Sequence, residues 1–161
     1  TLLLRYFLSL DYRVVVRYRL ALWLQSRWYL GKAGRLLAHH ILRRLSVVPG
    51  VEFNCTHPIG EGLRIAHAHD IVIGAGTQIG NNVTIYNGVT LGARRSRHLD
   101  PLCNHWERYP IVEEGTTVFS GAKVLGPITI GKGSVIGANA VVLDSLPANS
   151  VAAGVPARLL A

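Results

Sequence analysis

The sequence predicts a mainly β fold: a parallel β-helix of hexapeptide repeats preceded by a short N-terminal helical segment. Val118, Val124, Ile130, Ile136 and Val142 stand six residues apart, and Ile73, Ile79, Ile85 and Leu91 keep the same period upstream. Four residues after most of these anchors comes a small or β-branched residue: Thr77, Val83, Val89, Ala122, Ile128, Ser134 and Ala140. Glycine directly follows several anchors, at Gly74, Gly80, Gly92, Gly131 and Gly137. A packed helix needs apolar residues three or four apart and a half-buried strand needs alternation, whereas a strict six satisfies neither. A six-residue unit reads as one short strand plus one corner, and three units close a triangular coil with the anchors stacked inward. Glycines supply the positive φ that corners demand, and Asn81, Asn82 and Asn139 tolerate the same region.

Residues 1–30 are rich in Leu, Tyr, Trp and Arg and contain no proline or glycine. Val16, Leu20, Trp23 and Leu24 share a helical face, which predicts one or two helices ended by Gly31 and Gly34. From Arg35 to Leu45 a basic amphipathic helix is expected, with Leu37, Ile41, Leu42 and Leu45 on one face and Arg35, His39 and Arg43 on another. Val48-Pro49-Gly50 closes this part, and coils begin at Val51, with Ile59 and Ile65 again six apart. The expected units are a helical segment, 1–46, and a β-helix domain, 47–161. After Leu91-Gly92 the period is lost, so residues 93–110 form an inserted loop and repeats resume near Ile111 and Val118. Insertions in a solenoid map to one face and often carry binding.

The formal charge of +8 is unevenly placed. Residues 1–46 hold nine Lys or Arg against Asp11 alone, while 47–161 hold eight of each sign. Two readings compete for the basic segment: a solvated face of packed helices, or a peripheral surface riding on the anionic inner face of the cytoplasmic membrane. No nucleic-acid-binding motif accompanies the charge. Arg5, Arg13, Arg17, Arg19 and Arg27 interrupt every apolar run before it reaches a membrane span. No signal peptide is expected, because the opening run lacks a basic n-region and a small-residue cleavage site. Cys55 and Cys103 are too few for a disulfide framework and suit a cytoplasmic chain.

The stretch Gly62–Asp70 places His67 and His69 two apart on a predicted strand, projecting to one face unless a corner intervenes. From spacing alone, either is a base, a ligand or a hydrogen-bonded structural group. A zinc site would need further ligands, such as His57, His98 or His105.

Several runs together resemble the serine acetyltransferase branch of the left-handed β-helix acyltransferases. They are Ile65-Ala-His67, Asn82-Val-Thr-Ile-Tyr-Asn-Gly-Val-Thr-Leu-Gly92, Gly121-Ala-Lys-Val-Leu-Gly126 and Ala153-Gly-Val-Pro-Ala-Arg158. The resemblance covers about residues 47–160. The helical segment, with Val15-Val-Arg-Tyr-Arg-Leu-Ala21, looks more like the leader of colanic acid type polysaccharide acetyltransferases. The resemblance implies His67 as catalytic base and Glu52 as the carboxylate that orients it. An alcohol attacks only as its proton is removed, which suits a histidine held by a carboxylate. It also implies acetyl-CoA as co-substrate, bound at Gly92, Ser120 and Ala138, with Arg158 and Lys123 toward the nucleotide phosphates. Backbone N–H groups near the Leu91-Gly92 turn are expected to hold the oxyanion. A homotrimer is implied, with sites between neighbouring β-helices, and no metal is expected.

Two departures bear on the acceptor. Ala66 stands where the serine enzymes have aspartate, and their Arg-His-Pro is Arg108-Tyr109-Pro110 here. Loss of one charged contact to an ammonium costs roughly 2–5 kcal/mol. The expectation is therefore O-acetylation of a sugar hydroxyl on a polysaccharide or lipid-linked oligosaccharide, with Arg108, Tyr109 and Trp106 at the acceptor. The alternatives are serine O-acetylation, a trimeric zinc hydratase of carbonic anhydrase type, and a non-catalytic structural β-helix.

Overall fold

The computed structural model describes residues 10–26, 31–34, 36–37, 40, 50–54, 57, 59–94 and 109–160. One helix, α1 (Leu10–Ser26), precedes fourteen short strands. They are β1 (Val51–Phe53), β2 (Arg64–Ala66), β3 (Ile71–Ile73), β4 (Gln78–Ile79), β5 (Thr84–Tyr86), β6 (Thr90–Gly92) and β7 (Ile111–Val112). Next come β8 (Thr117–Val118), β9 (Lys123–Leu125), β10 (Thr129–Ile130), β11 (Val135–Ile136), β12 (Val141–Val142), β13 (Val151–Ala153) and β14 (Arg158–Leu159).

The strands stack into three parallel walls: β1-β3-β6-β9-β12 in the first, β4-β7-β10 in the second, and β2-β5-β8-β11-β13 in the third. Strand β14 adds antiparallel to β13 at the end of the third wall. The anchors behave as their period requires. Ile73, Ile85, Leu91, Val118, Val124, Ile130 and Ile136 are wholly buried, as are Val83, Val89, Ala122 and Ala140. The polar residues in the same inward rows are satisfied by carbonyls. Thr77 donates to Leu91 O and Thr116 to Gly131 O at 3.4 Å, and Ser134 to Pro147 O at 2.9 Å.

Coil length is read from the register. Val112 pairs with Ile130, Val118 with Ile136 and Val124 with Val142, each eighteen residues on. Ile79 pairs with Val112 across thirty-three residues, so fifteen extra residues leave the coil between β6 and β7. The repeat resumes at Val112, which is buried, and Ile111 beside it is exposed. Val51 pairs with Ile71 and Ile65 with Ile85 at a spacing of twenty, so the first coil holds two residues more than the regular ones. These follow Ile65, where the hexapeptide count first slips.

The helix departs from the expected face. Leu24 is buried, but Leu20 and Trp23 are exposed. The inward face is Val14 and Tyr18, with Tyr18 tilted against Phe53 at 5.3 Å between ring centroids. Polar contacts choose this face. Tyr18 OH donates to His57 O at 3.3 Å, Arg19 Nη2 to Gly60 O at 2.6 Å, and Asp11 Oδ1 accepts from Ala68 N at 2.5 Å. Residues 31–34 are helical, so Gly34 does not end the helical part. Leu36, Leu37 and His40 are also helical, and the rest of the expected basic helix lies outside the described residues. Among the described residues no helix is long and apolar enough to cross a membrane.

Ile130→Ala would open a void at the centre of the stack. We expect a loss of about 2–5 kcal/mol in urea-induced unfolding.

Candidate active site

One edge of the triangular prism collects the residues of interest. At the corner between the third and first walls, successive coils place Asn87-Gly88, Ser120-Gly121 and Ala138-Asn139 one above another. Their backbones are laddered: Gly121 N donates to Asn87 O at 2.8 Å, and Asn139 N to Ser120 O at 2.9 Å. Gly88, Gly121 and Asn139 have φ of 69°, 74° and 56°, the left-handed conformation that turns the chain. Asn82 adopts it too, at the next corner, while Asn81 does not. Ser120 Oγ donates to Asn87 Oδ1 at 2.9 Å, tying two floors of the edge.

The next floor down this edge is the enlarged corner, Ala66 to Asp70, with Gly50 below it. Three residues separate the inward Ile85 and Val89 above it, but five separate Ile65 from Ile71. The surplus forms a bulge in which His67 and Asp70 take φ of 58° and 53° and Ala68 tucks inward. Gly88 N donates to His69 O at 3.0 Å, so the bulge still joins the ladder. A corner thus intervenes between the two histidines. His67 leaves the strand at the end of β2 and is exposed, while His69 Nδ1 lies 3.3 Å from Asp70 Oδ2. With floors about 4.8 Å apart, His67 stands roughly 14 Å below Ala138, on the same edge.

Glu52 sits on the outward face of β1, around the corner from the bulge and opposite Val72 in the next strand. Its carboxylate accepts from Asn54 Nδ2, and among the described residues no hydrogen bond joins it to His67. Lys123 stands on the first wall with Nζ donating to Gly88 O at 2.5 Å, which holds it at the edge. Arg158 on β14 pairs with Ala153, one residue before the topmost corner, and is exposed. Gly92 lies at the far end of β6, and Leu91-Gly92 is strand and not the expected turn. Tyr109 lies elsewhere: a methyl group placed on Gly74 would overlap its ring, so Tyr109 packs on the corner between first and second walls. Trp106 and Arg108 lie outside the described residues, as do His98 and His105. Among the described residues no group of three or more His, Cys, Asp or Glu is placed to hold a metal.

Sequence reasoning missed the contribution of α1. Between α1 and β2 opens a cleft of about 470 Å³ lined by Asp11, Tyr12, Arg64, Ala66 and His67 among others. The available signal was Asp11 itself, the lone acid in a basic segment. Tyr86 and Phe119 also escaped notice. They follow one another in the row above Ala66 and stack at 4.9 Å between centroids. A second cleft of about 530 Å³, on the second wall, contains Lys132, which is ion-paired to Glu114 at 3.0 Å.

Proteins of known activity share this geometry. Residues 109–144 match the bacterial transferase hexapeptide family (six repeats), and the fold is the left-handed β-helix of that class. The chain is 38% identical over 151 residues to the serine acetyltransferase of Haemophilus influenzae, covering 92% of this chain and 51% of that protein. It is 40% identical over 143 residues to that of Mycobacterium tuberculosis, covering 89% and 57%. Among solved structures, soybean serine acetyltransferase superposes with a TM-score of 0.77 at 34% identity, over 97% of this chain and 60% of that one. A serine acetyltransferase in complex with CoA gives 0.70 at 34%, again over 97% and 60%. The chain spans about half the length of the curated relatives it matches.

These relatives overturn the saccharide acceptor, and with it the colanic acid likeness and a role in polysaccharide biosynthesis. They favour the serine alternative. The physical reason lies in Tyr109. Its ring is engaged against Gly74 on the wall of its own β-helix and presents no platform beside His67 for a sugar. The basic segment is likewise not a free surface throughout, since Arg19 is committed to Gly60. The comparisons give no support to membrane association.

The edge makes one prediction. Gly121→Ala should destabilise by about 1–2 kcal/mol, the cost of forcing a side chain into the left-handed region, read as a lowered melting temperature in calorimetry.

Proposed function

We propose that this chain is an acetyl-CoA-dependent O-acetyltransferase whose acceptor is the hydroxyl of serine. The observation that carries the reading is the enlarged corner. His67 is pushed out of the wall low on the edge whose upper floors carry Ser120 and Ala138. The similarity to serine acetyltransferases supports the same assignment.

In this reading the pantetheine arm lies along the edge past Ala138 and Ser120, where short side chains let it approach the backbone. Lys123 and Arg158 attract the nucleotide phosphates, and Gly92 leaves room on the first wall. The acetyl thioester reaches the bulge. His67 takes the proton of the serine hydroxyl as its oxygen attacks the carbonyl carbon. Collapse breaks the C–S bond, and the imidazolium returns the proton to the departing sulfur. The products are O-acetylserine and the free thiol. Glu52 is the carboxylate assigned to steady the imidazolium, since a carboxylate stabilises the charged base.

The β-helices assemble as a homotrimer, closed by cyclic symmetry. Arg108 and Trp106 are assigned to the acceptor side. The chain divides into a basic helical segment, 1–46, and the β-helix domain, 47–161.

Thiol release from acetyl-CoA with serine present tests the function. The wild-type chain should turn over. His67→Ala should lose at least a hundredfold in kcat while coenzyme A binding, measured by calorimetry, stays within a few-fold. Full turnover by His67→Ala would contradict the assignment. Ala138→Trp should raise the KM for acetyl-CoA at least tenfold, and an unchanged KM would remove the edge as the coenzyme track.

A further inference from the structure

We propose that the cleft between α1 and β2 is built for a zwitterion, with Asp11 meeting the ammonium and Arg64 the carboxylate of the amino acid acceptor. The inference rests on the serine reading above and names residues that the reading itself does not supply.

Asp11 is the only acid among residues 1–46, yet it lines the cleft together with His67. Its Oδ1 takes the N–H of Ala68 at 2.5 Å, which fixes the carboxylate one residue from the base. Among the described residues Asp11 makes no other hydrogen bond or ion pair, so Oδ2 keeps its capacity to accept. Arg64 opens β2 and is exposed, and its guanidinium has no hydrogen bond or ion pair among the described residues. Arg64 and Ala66 share the outward face of β2, two residues and roughly 7 Å apart, with His67 next in line. Ala66 adds no charge and leaves the floor between them clear. A cation, a small floor and a base therefore follow in sequence along β2, and a carboxylate stands over the base end.

This order matches an α-amino acid bearing a β-hydroxyl. Its ammonium and hydroxyl sit on adjacent carbons, so an ammonium held at Asp11 brings the hydroxyl to His67. Its carboxylate then points back along β2 toward Arg64. A cleft of about 470 Å³ accommodates such a molecule together with the thioester end.

The competing role for Asp11 is mechanical, holding α1 against the bulge. Asp11→Asn separates the two, because the amide oxygen still accepts from Ala68 N while the charge is gone. We expect Asp11→Asn to raise the KM for serine about 10- to 100-fold, with the KM for acetyl-CoA within two-fold. It should also narrow the preference for serine over 3-hydroxypropionate, which lacks the ammonium, by a similar factor. Arg64→Gln, on an exposed face, should raise the KM for serine to a comparable degree. An unchanged serine KM in Asp11→Asn overturns the ammonium contact, and an unchanged one in Arg64→Gln overturns the carboxylate contact, with serine transfer by the wild type intact in both cases. Absence of serine turnover in the wild type overturns the serine reading and this proposal together.

Discussion

Every coil of this molecule must retrace the path of the coil below it, because strands in a parallel wall share their hydrogen bonds in register. That constraint makes the interior uniform. Ile85, Val118 and Ile136 occupy one inward column and Ile73, Leu91 and Val124 another, all of them dry. Uniform coils give a stable rod but no chemistry, since each outward residue sees the same environment as its neighbour one floor away. Function has to enter where the register is broken, and it is broken in two places. Fifteen residues leave the stack after β6, and two are added at the corner after β2.

The smaller break has the larger consequence for the site. Two residues are too few to form a loop that could fold away, so the corner bulges and His67 adopts a left-handed conformation, uncommon for residues other than glycine. The ladder survives on both sides, through Gly50 O to Ile71 N and His69 O to Gly88 N. The imidazole is thereby carried by a rigid frame while standing clear of it. Helix α1 completes the arrangement from outside. Its docking is mostly polar, through Asp11, Tyr18 and Arg19, which explains why its apolar pattern pointed to the wrong face.

Much of the fold was legible because the repeat is written in the residues that stack. The anchors, their partners four residues on and the corner glycines each leave a separate mark, and all agree on one period. The helix was less legible. Leu20 and Trp23 look like core residues by type, yet tertiary hydrogen bonds to Gly60 and Ala68 rotate the helix so that Val14 and Tyr18 face inward. His67 could be singled out from the sequence, but its setting could not, since a shift from six to eight in the anchor spacing after Ile65 does not say which residues bulge. Ala66 and Tyr109 suggested a sugar acceptor when taken as isolated replacements. In three dimensions Tyr109 belongs to a different corner, and the carboxylate of Asp11, fifty-five residues before Ala66 in the chain, lines the same cleft as Ala66. The lone acid in a basic segment marks Asp11, but local sequence does not name its partner across that separation.

The central claim is that one edge of the prism, from the bulge at His67 up to Ala138, is the reaction track. The most direct test is a crystal structure of the chain soaked with coenzyme A. The account predicts the pantetheine arm along the Asn87–Ser120–Ala138 edge, with its sulfur within a few ångströms of the His67 imidazole. Coenzyme bound instead on the second wall, in the cleft beside Glu113 and Lys132, would contradict it.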